Sequence, residues 1–477
     1  MKNAKRKDIK TCILEKDANA FIKGDFESVS SIVKDSRLAT VGSLFVCLRG
    51  VFKDGHDFVL DAYKRGCRHF LCERQIELPE DASVAKVKSV RAILCDLLFC
   101  FHGVQKENFI FIGVTGTKGK TTTSFLLTHL LNKAGYTCAC SGTLGLFDGT
   151  EMKPTDNTTP DLFVLAPWLS YLQSRQVCFV VIETSSAALS GARLVGLNFS
   201  LGILTSFSKD HIGRGEHLDM AEYLCAKRSL FSSYGVKTAI LPPDVYCGEF
   251  IVSDAEQIIV LPPEEKILRA VEEREEGQSF FYREKLSFLP LIGAHNRTNA
   301  RLALRGASIL TGRNEEEFLP YLADVFVPGR YEQMTHRGVK VVIDYAHNYE
   351  SFLAVAKTAA QHTSGRMICV FGSVGGRGEG RRTELAKAAE ACMDFSVITE
   401  DDPCEESGLH ICAQIYAAFQ DKTCARIVTD RKDAIRYAFS LCKAGDTLLL
   451  LGKGHERVQK IKGKSIPFCE KEIVLSL

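Results

Sequence analysis

Gly113-Val-Thr-Gly-Thr-Lys-Gly-Lys-Thr-Thr-Thr123 decides how this chain is read. The apolar run 108–114 precedes it and predicts a buried strand. Residues 121–134 follow with apolar side chains at Phe125, Leu126, Leu130 and Leu131, the spacing of one helix face. A strand that turns through glycines into a helix aims backbone N–H groups and a helix N-terminus at an anion. Gly116 and Gly119 let the backbone approach phosphate oxygens closely. Lys120 can reach the β- and γ-phosphates, and Thr121 offers a hydroxyl to Mg2+. Val114 stands where the general phosphate loop has its first glycine, so the pattern TGTxGKT is a subclass mark. A helix start that is merely rich in small residues is the plainer alternative. It does not account for strand, glycines, lysine and threonine arriving in order. No Asn-Lys-x-Asp guanine signature follows.

Working outward, short apolar runs recur at 42–48, 69–72, 177–182, 200–205, 340–344, 366–371 and 447–451, separated by amphipathic stretches. This alternation predicts an α/β protein with mostly parallel sheets wrapped by helices. At 477 residues the chain exceeds one ordinary domain. The expected division is 1–107, 108–326 and 327–477, with Val327-Pro-Gly329 as a hinge. A net charge of +2 gives no global reason to expect nucleic-acid or membrane partners. The basic start, 1–10, lacks the apolar core of a secretory signal, and no run of about 18 apolar residues could span a bilayer. The 18 cysteines are scattered without a CxxC pair, so reduced, mostly buried thiols in a cytoplasmic monomer are expected rather than a zinc site. The acidic run 272–277 reads as a solvated face.

Glu183 ends the apolar strand before Thr184-Ser-Ser186, and a carboxylate there can hold a metal. His211 follows Lys209-Asp210 at the end of another strand, and Lys227 lies on the next predicted helix. A lone histidine at a strand end is usually a surface or hydrogen-bonding residue, and a helical lysine is usually solvated. Neither persuades alone.

Together the set is recognisable. ThrGlyThrLysGlyLysThrThr, GluThrSerSer, LysAspHis with a helical lysine, GlyAlaHisAsnArgThrAsn (293–299), ProGlyArg (328–330) and AspTyrAlaHis (344–347) occur in the order seen in the Mur ligases. The resemblance runs from about residue 30 to the C-terminus. It is closest to the branch that adds the third residue of the muramoyl peptide, through AspSerArg (35–37), AsnThrThrProAsp (157–161), AspArgLysAspAlaIle (430–435) and GlyLysGlyHisGlu (452–456). It implies an N-terminal domain for the UDP-muramoyl substrate, a central ATPase domain and a C-terminal Rossmann-like domain for the amino acid. It implies that Gly116, Thr117, Gly119, Lys120, Thr121 and Thr122 bind ATP. Thr121, Glu183, His211 and a carbamylated Lys227 would hold Mg2+. Asn296 and Asn299 would face the adenine, and Arg330 and Asp344 would close on the nucleotide. Ser36, Thr158, Thr159, Ser185 and Arg193 would meet the UDP-muramoyl peptide. Arg382 would take the α-carboxylate of the amino acid, with Asp401, Asp402, Gly452 and Glu456 near its side chain. Lys120, Glu183, His211, Lys227 and Arg330 would carry catalysis.

Ligases of this branch that add meso-diaminopimelate usually read Asp-Asn-Pro-Arg in the last domain, the arginine clamping the distal carboxylate. Here the segment is Asp401-Asp402-Pro403-Cys404. An acidic site without that arginine suits an ammonium, so L-lysine is expected ahead of diaminopimelate, unless Arg377 or Arg381 substitutes. Lys118, Ala187, Ala188, Gly191 and the pair Cys469-Glu470 also depart from the family pattern. A folylpolyglutamate synthase, the ligase that adds D-Ala-D-Ala and a non-catalytic nucleotide-binding partner of wall assembly are the alternatives. The roughly hundred residues before the loop, the GlyLysGlyHisGlu motif and the retained Lys120, Glu183, His211 and Lys227 argue against them in turn.

Overall fold

The computed structural model describes residues 8–50, 53–210, 212–213, 216–244, 255–376 and 379–477. His211 and Arg377 therefore lie outside the described residues. The chain is α/β and forms two compact units. The first is Met1–Ser124, Leu131–Ser206 and Leu224–Leu261; the second is Phe125–Leu130, Phe207–Tyr223 and Pro262–Leu477.

The first unit carries two sheets. The smaller has five strands in the order Phe21–Lys23, Ser83–Lys86, His69–Cys72, Ser43–Val46 and Ser31–Val33. All neighbours are parallel except the first pair. Helix Val90–His102 is capped by Ser89 and stopped by Gly103 in the left-handed region, as expected of an N-cap serine and a C-terminal glycine. It buries Ile93, Leu94, Leu97, Leu98 and Phe101 and packs on helix Leu162–Ser174. That packing puts the N-terminal segment in one unit with the central sheet, where the sequence separates them at residue 107. Cys12 and Cys100 form a disulfide between helices Ile9–Lys16 and Val90–His102. This corrects the expectation of reduced thiols throughout. Cys138 and Cys140 are buried.

The larger sheet has eight strands in the order Gln257–Val260, Thr238–Leu241, Phe199–Leu204, Ile110–Thr115, Phe179–Glu183, Cys138–Gly142, Gly145–Phe147 and Met152–Lys153. Its first six strands are parallel. From Ile110–Thr115 the chain winds first to one side and then to the other, so strand order reverses there. A crevice at the carboxyl ends of the strands is where open α/β sheets bind ligands.

In the second unit, a three-stranded antiparallel sheet (Leu268–Arg274, Gly277–Tyr282, Lys285–Leu289) joins the C-terminal region. The Glu275 carbonyl accepts from Gln333 and its carboxylate pairs with Lys340, which places 262–326 with the last segment. The acidic strand around Glu272 is mostly exposed, as expected. The main sheet runs Glu332–His336, Val339–Asp344, Thr447–Leu451, Met367–Phe371, Phe395–Ile398 and Ala425–Ile427, parallel after its first pair. Buried apolar clusters cover both faces. Strands Thr447–Leu451 and Phe179–Glu183 are buried along their whole length, as central parallel strands must be. No helix among the described residues is long and apolar enough to cross a membrane.

Candidate active site

Four loops at the carboxyl ends of the large sheet converge in the first unit. The turn after Ile110–Thr115 holds Gly116 at φ +149° and Gly119 at φ +83°, and helix Lys120–Lys133 begins directly after it. A Cβ on Gly116 would collide with Thr205 and with the Ser206 backbone. The turn is pinned from the neighbouring strand end: Thr117 N–H donates to the Ser206 carbonyl (2.9 Å) and Lys118 N–H to Ser206 Oγ (2.8 Å). Lys118, the departure from the family asparagine, thus contributes its backbone here.

Glu183 is fully buried where Phe179–Glu183 ends. It accepts from Thr121 Oγ1 (3.0 Å) and from the N–H and hydroxyl of Thr143 (3.0 Å each). A Cβ on Gly142 would fall on this carboxylate, so the adjoining strand leaves space for it. A buried carboxylate bonded to the loop's threonine hydroxyl is the donor set of a hard cation that accepts oxygen ligands, and these residues fit Mg2+. Lys120 Nζ donates to the Gly116 and Thr117 carbonyls (2.8 and 3.1 Å). Lys227, 1% exposed, donates to the same Gly116 carbonyl (2.7 Å).

The predicted substrate residues gather around this carboxylate. Thr143 Oγ1 bonds Thr158 Oγ1 (3.2 Å), and Thr159 Oγ1 donates to the Glu183 carbonyl (2.7 Å). Ser185 N–H donates to Thr159 Oγ1 (2.9 Å), and Arg193 reaches the Thr159 carbonyl (3.2 Å). Ser36 sits apart, in the short turn Ser36–Leu38 capped by Asp35. It approaches the group through Lys34, whose ammonium meets Asp161. Thr143, Thr205, Ser206 and Lys34 are not marked by the sequence. Each follows or precedes a short strand, but nothing in its own residue type sets it apart.

In the second unit Asn296 and Asn299 lie on one face of helix Ala294–Thr311, joined by a hydrogen bond of 3.2 Å. The Arg330 guanidinium stacks over the Tyr345 ring at 4.8 Å, and Asp344 accepts from the N–H groups of Tyr331 (2.6 Å) and Ala346 (2.7 Å). At the carboxyl ends of the main sheet, Asp401, Asp402 and Glu456 bring one carboxylate oxygen each within 4.8 Å of one another. Among them lies the fully buried Lys453 ammonium, 2.7 Å from Asp402 and 3.8 Å from Asp401, and in contact with Glu456. Gly452, at φ +107°, passes too close to Asp401 to carry a side chain. Burial pushes the Glu456 carboxyl up to about 7, while Lys453 pulls it back. Sequence reasoning missed Lys453 although it lies inside the GlyLysGlyHisGlu motif. Arg382 is held by Glu406 through two 2.8 Å bonds and by Gln414. Arg381 is engaged by Asp210 (3.1 Å) and Glu216 (3.1 Å).

The strand, glycine turn, lysine and buried carboxylate define a nucleotide-dependent group-transfer enzyme. The profile of the Mur ligase middle domain matches residues 114–307, and that of the Mur ligase glutamate ligase domain matches 329–454. The UDP-N-acetylmuramoyl-L-alanyl-D-glutamate–2,6-diaminopimelate ligase of Clostridium botulinum is 30% identical over 480 residues, covering 98% of each chain. A solved structure of a ligase with that description superposes with a TM-score of 0.60 at 24% identity, covering 94% of each chain. A Mycobacterium tuberculosis folylpolyglutamate synthase complexed with ADP and AMPPCP gives a TM-score of 0.61 at 19% identity, covering 74% of this chain and 91% of its own. The chain belongs to the Mur ligase family and is an ATP-dependent ligase that joins an amino acid to a carboxylic acid in peptidoglycan synthesis.

Proposed function

We propose that this ligase, a cytoplasmic monomer, joins an amino acid to the D-Glu carboxylate of UDP-N-acetylmuramoyl-L-Ala-D-Glu, and that the amino acid is L-lysine ahead of meso-diaminopimelate. The supporting observation is the trio Asp401, Asp402 and Glu456, with one internal cation, Lys453, and Cys404 in place of the family arginine. Three carboxylates against one ammonium leave the site acidic, which favours a cationic side chain. Arg381 is committed to two carboxylates and is poorly placed to replace the missing clamp. Diaminopimelate is the second reading, and the curated relatives favour it, since their descriptions name it. The five-stranded sheet ahead of the loop weighs against a folylpolyglutamate synthase, as does the 74% of this chain that the Mycobacterium tuberculosis enzyme covers with 91% of its own.

A carboxylate is a poor electrophile. Transfer of the γ-phosphoryl group makes it an acyl phosphate, which the amine attacks, and phosphate leaves the tetrahedral adduct. The protein's part is to position groups and neutralise charge. Lys120 and Arg330 would spread positive charge over the transferring group. Thr121 and Glu183 would hold Mg2+, which when bound neutralises phosphate oxygens. Lys120 and Lys227 direct two ammonium groups at one carbonyl oxygen. Carbamylation of Lys227 would turn that repulsion into an attraction and supply a further oxygen donor. Asn296 and Asn299 would hold the adenine side, with Asp344 behind Arg330.

The test is product mass from purified protein, ATP, Mg2+, UDP-muramoyl-L-Ala-D-Glu and each amino acid. Excess lysine adduct is expected. A product carrying only diaminopimelate overturns the ordering, and no product with any amino acid overturns the assignment. A pH profile gives a second expectation. Glu456, raised to about 7, is neutral below that pH and anionic above it. The KM for a cationic side chain should therefore fall from pH 6 to pH 8, by about three- to tenfold for one added charge near contact. Glu456→Gln should flatten this change.

A further inference from the structure

Arg382 is 2% exposed and cannot readily move. Its NH1 and NH2 groups form an end-on pair with the two oxygens of Glu406, each at 2.8 Å, and NH1 also donates to Gln414 (2.5 Å). Its Nε, also buried, has no hydrogen-bond partner among the described residues. The carboxylate geometry expected of an amino-acid substrate is thus already supplied from within the chain.

On the reading that Arg382 seats the amino acid's α-carboxylate, we propose that Glu406 is a specificity-determining residue of the amino-acid site: its carboxylate occupies the guanidinium face of Arg382, and an incoming α-carboxylate binds by displacing it. Position supports this. Glu406 follows Asp401 and Asp402 on the same loop, and that loop is tied to the glycine turn after Met367–Phe371. Gly375 N–H donates to the Asp402 carbonyl (2.9 Å), and Gly376 N–H to Glu406 Oε2 (3.0 Å). Mobility is unequal on the two sides. The Glu406 side chain is 26% exposed and can swing to water without a large desolvation cost, whereas the guanidinium stays fixed. Electrostatics require the exchange, because a second carboxylate added beside Glu406 would meet its charge at close range. The Arg382 bonds hold Glu406 down at about 2, so it remains an anion across the working range and the competition does not titrate. A substrate must bring a carboxylate able to take both guanidinium bonds.

The test measures KM for the incorporated amino acid and for its α-amide, with ATP and the UDP-muramoyl peptide saturating. Glu406→Gln keeps the shape and a carbonyl acceptor but loses the charge. It should lower the amino-acid KM by about tenfold, because the charge of the competitor is lost while the amide keeps part of its hydrogen bonding. The KM for ATP should hold. Glu406→Asp, which retracts the carboxylate, should fall between. The α-amide, lacking the carboxylate, should gain nothing. An unchanged or raised amino-acid KM in E406Q, or an equal gain for the α-amide, overturns the displacement. Arg382→Lys separates the two ideas. If it raises the amino-acid KM while E406Q lowers nothing, Arg382 is the seat and displacement fails. If it leaves that KM alone, the reading of Arg382 itself fails.

Discussion

Lys120→Ala should cut the rate of ligation by about a thousandfold or more, the cost of removing a preorganised charge from a transferring phosphoryl group. The side chain sits at the first position of helix Lys120–Lys133 and is anchored to two carbonyls of its own turn. Those carbonyls hold the ammonium over the place where the turn's concave face would meet phosphate oxygens. The backbone anchors that shape the turn, Thr117 and Lys118 to Ser206, do not involve the lysine side chain. The variant should therefore fold, with a melting temperature near that of the parent. Phosphate release in the presence of the UDP-muramoyl peptide and amino acid measures the loss. A variant that still ligates at the parental rate would remove the triphosphate from the turn and the assignment with it.

The largest effect on stability is expected at Arg431→Leu. Arg431 and Glu470 are both fully buried, and Arg431 donates to Glu470 Oε1 through Nε and NH2 at 3.0 and 2.8 Å. It also reaches the carbonyls of Leu451 (2.7 Å) and Glu400 (3.3 Å), so it ties the carboxyl ends of two strands, Thr447–Leu451 and Phe395–Ile398, to the last helix, Glu470–Leu475. Glu470 Oε2 already lacks a partner among the described residues, and burial pushes its carboxyl up against the pull of Arg431. Removing the arginine strands a carboxylate in the interior, which costs about 3–5 kcal/mol, whereas replacing both members with apolar residues is close to neutral. Urea denaturation should show that loss in R431L and recovery of most of it in R431L/E470L. In R431L the carboxyl titrates higher in the folded than in the unfolded chain. The folded state then binds the extra proton, so the deficit should shrink at acid pH and grow as pH rises.

The sheets were legible because their strands announce themselves. The run 108–114 became Ile110–Thr115, 447–451 became Thr447–Leu451, and the helix predicted over 121–134 spans Lys120–Lys133. Buried parallel strands need continuous apolar stretches, and the sequence displays them. Glu183 was legible for the same reason, as the polar residue ending such a stretch. Thr143 was not: its role depends on which strand lies beside Phe179–Glu183, a long-range pairing that no local pattern encodes. Glu406 and Lys453 show a second limit. Sequence displays charged residues near Arg382 and Asp402, but which charge neutralises which is settled by side-chain reach and burial. An acidic segment read as open to an external ammonium proves to hold one of its own. The Cys12–Cys100 bridge was unreadable because 88 residues separate the two positions and neither belongs to a spaced motif.

The segment 399–406 and the turn 452–456 both hang from strands that are mostly apolar and buried, Phe395–Ile398 and Thr447–Leu451. Neither segment contributes to the hydrophobic layers on which the sheet depends. The chemistry of amino-acid choice is thereby detached from the chemistry of folding. Exchanging those two short pieces with the counterparts of a related ligase is a transplant the scaffold can accept, and selectivity among side chains can drift in evolution while the frame stays still.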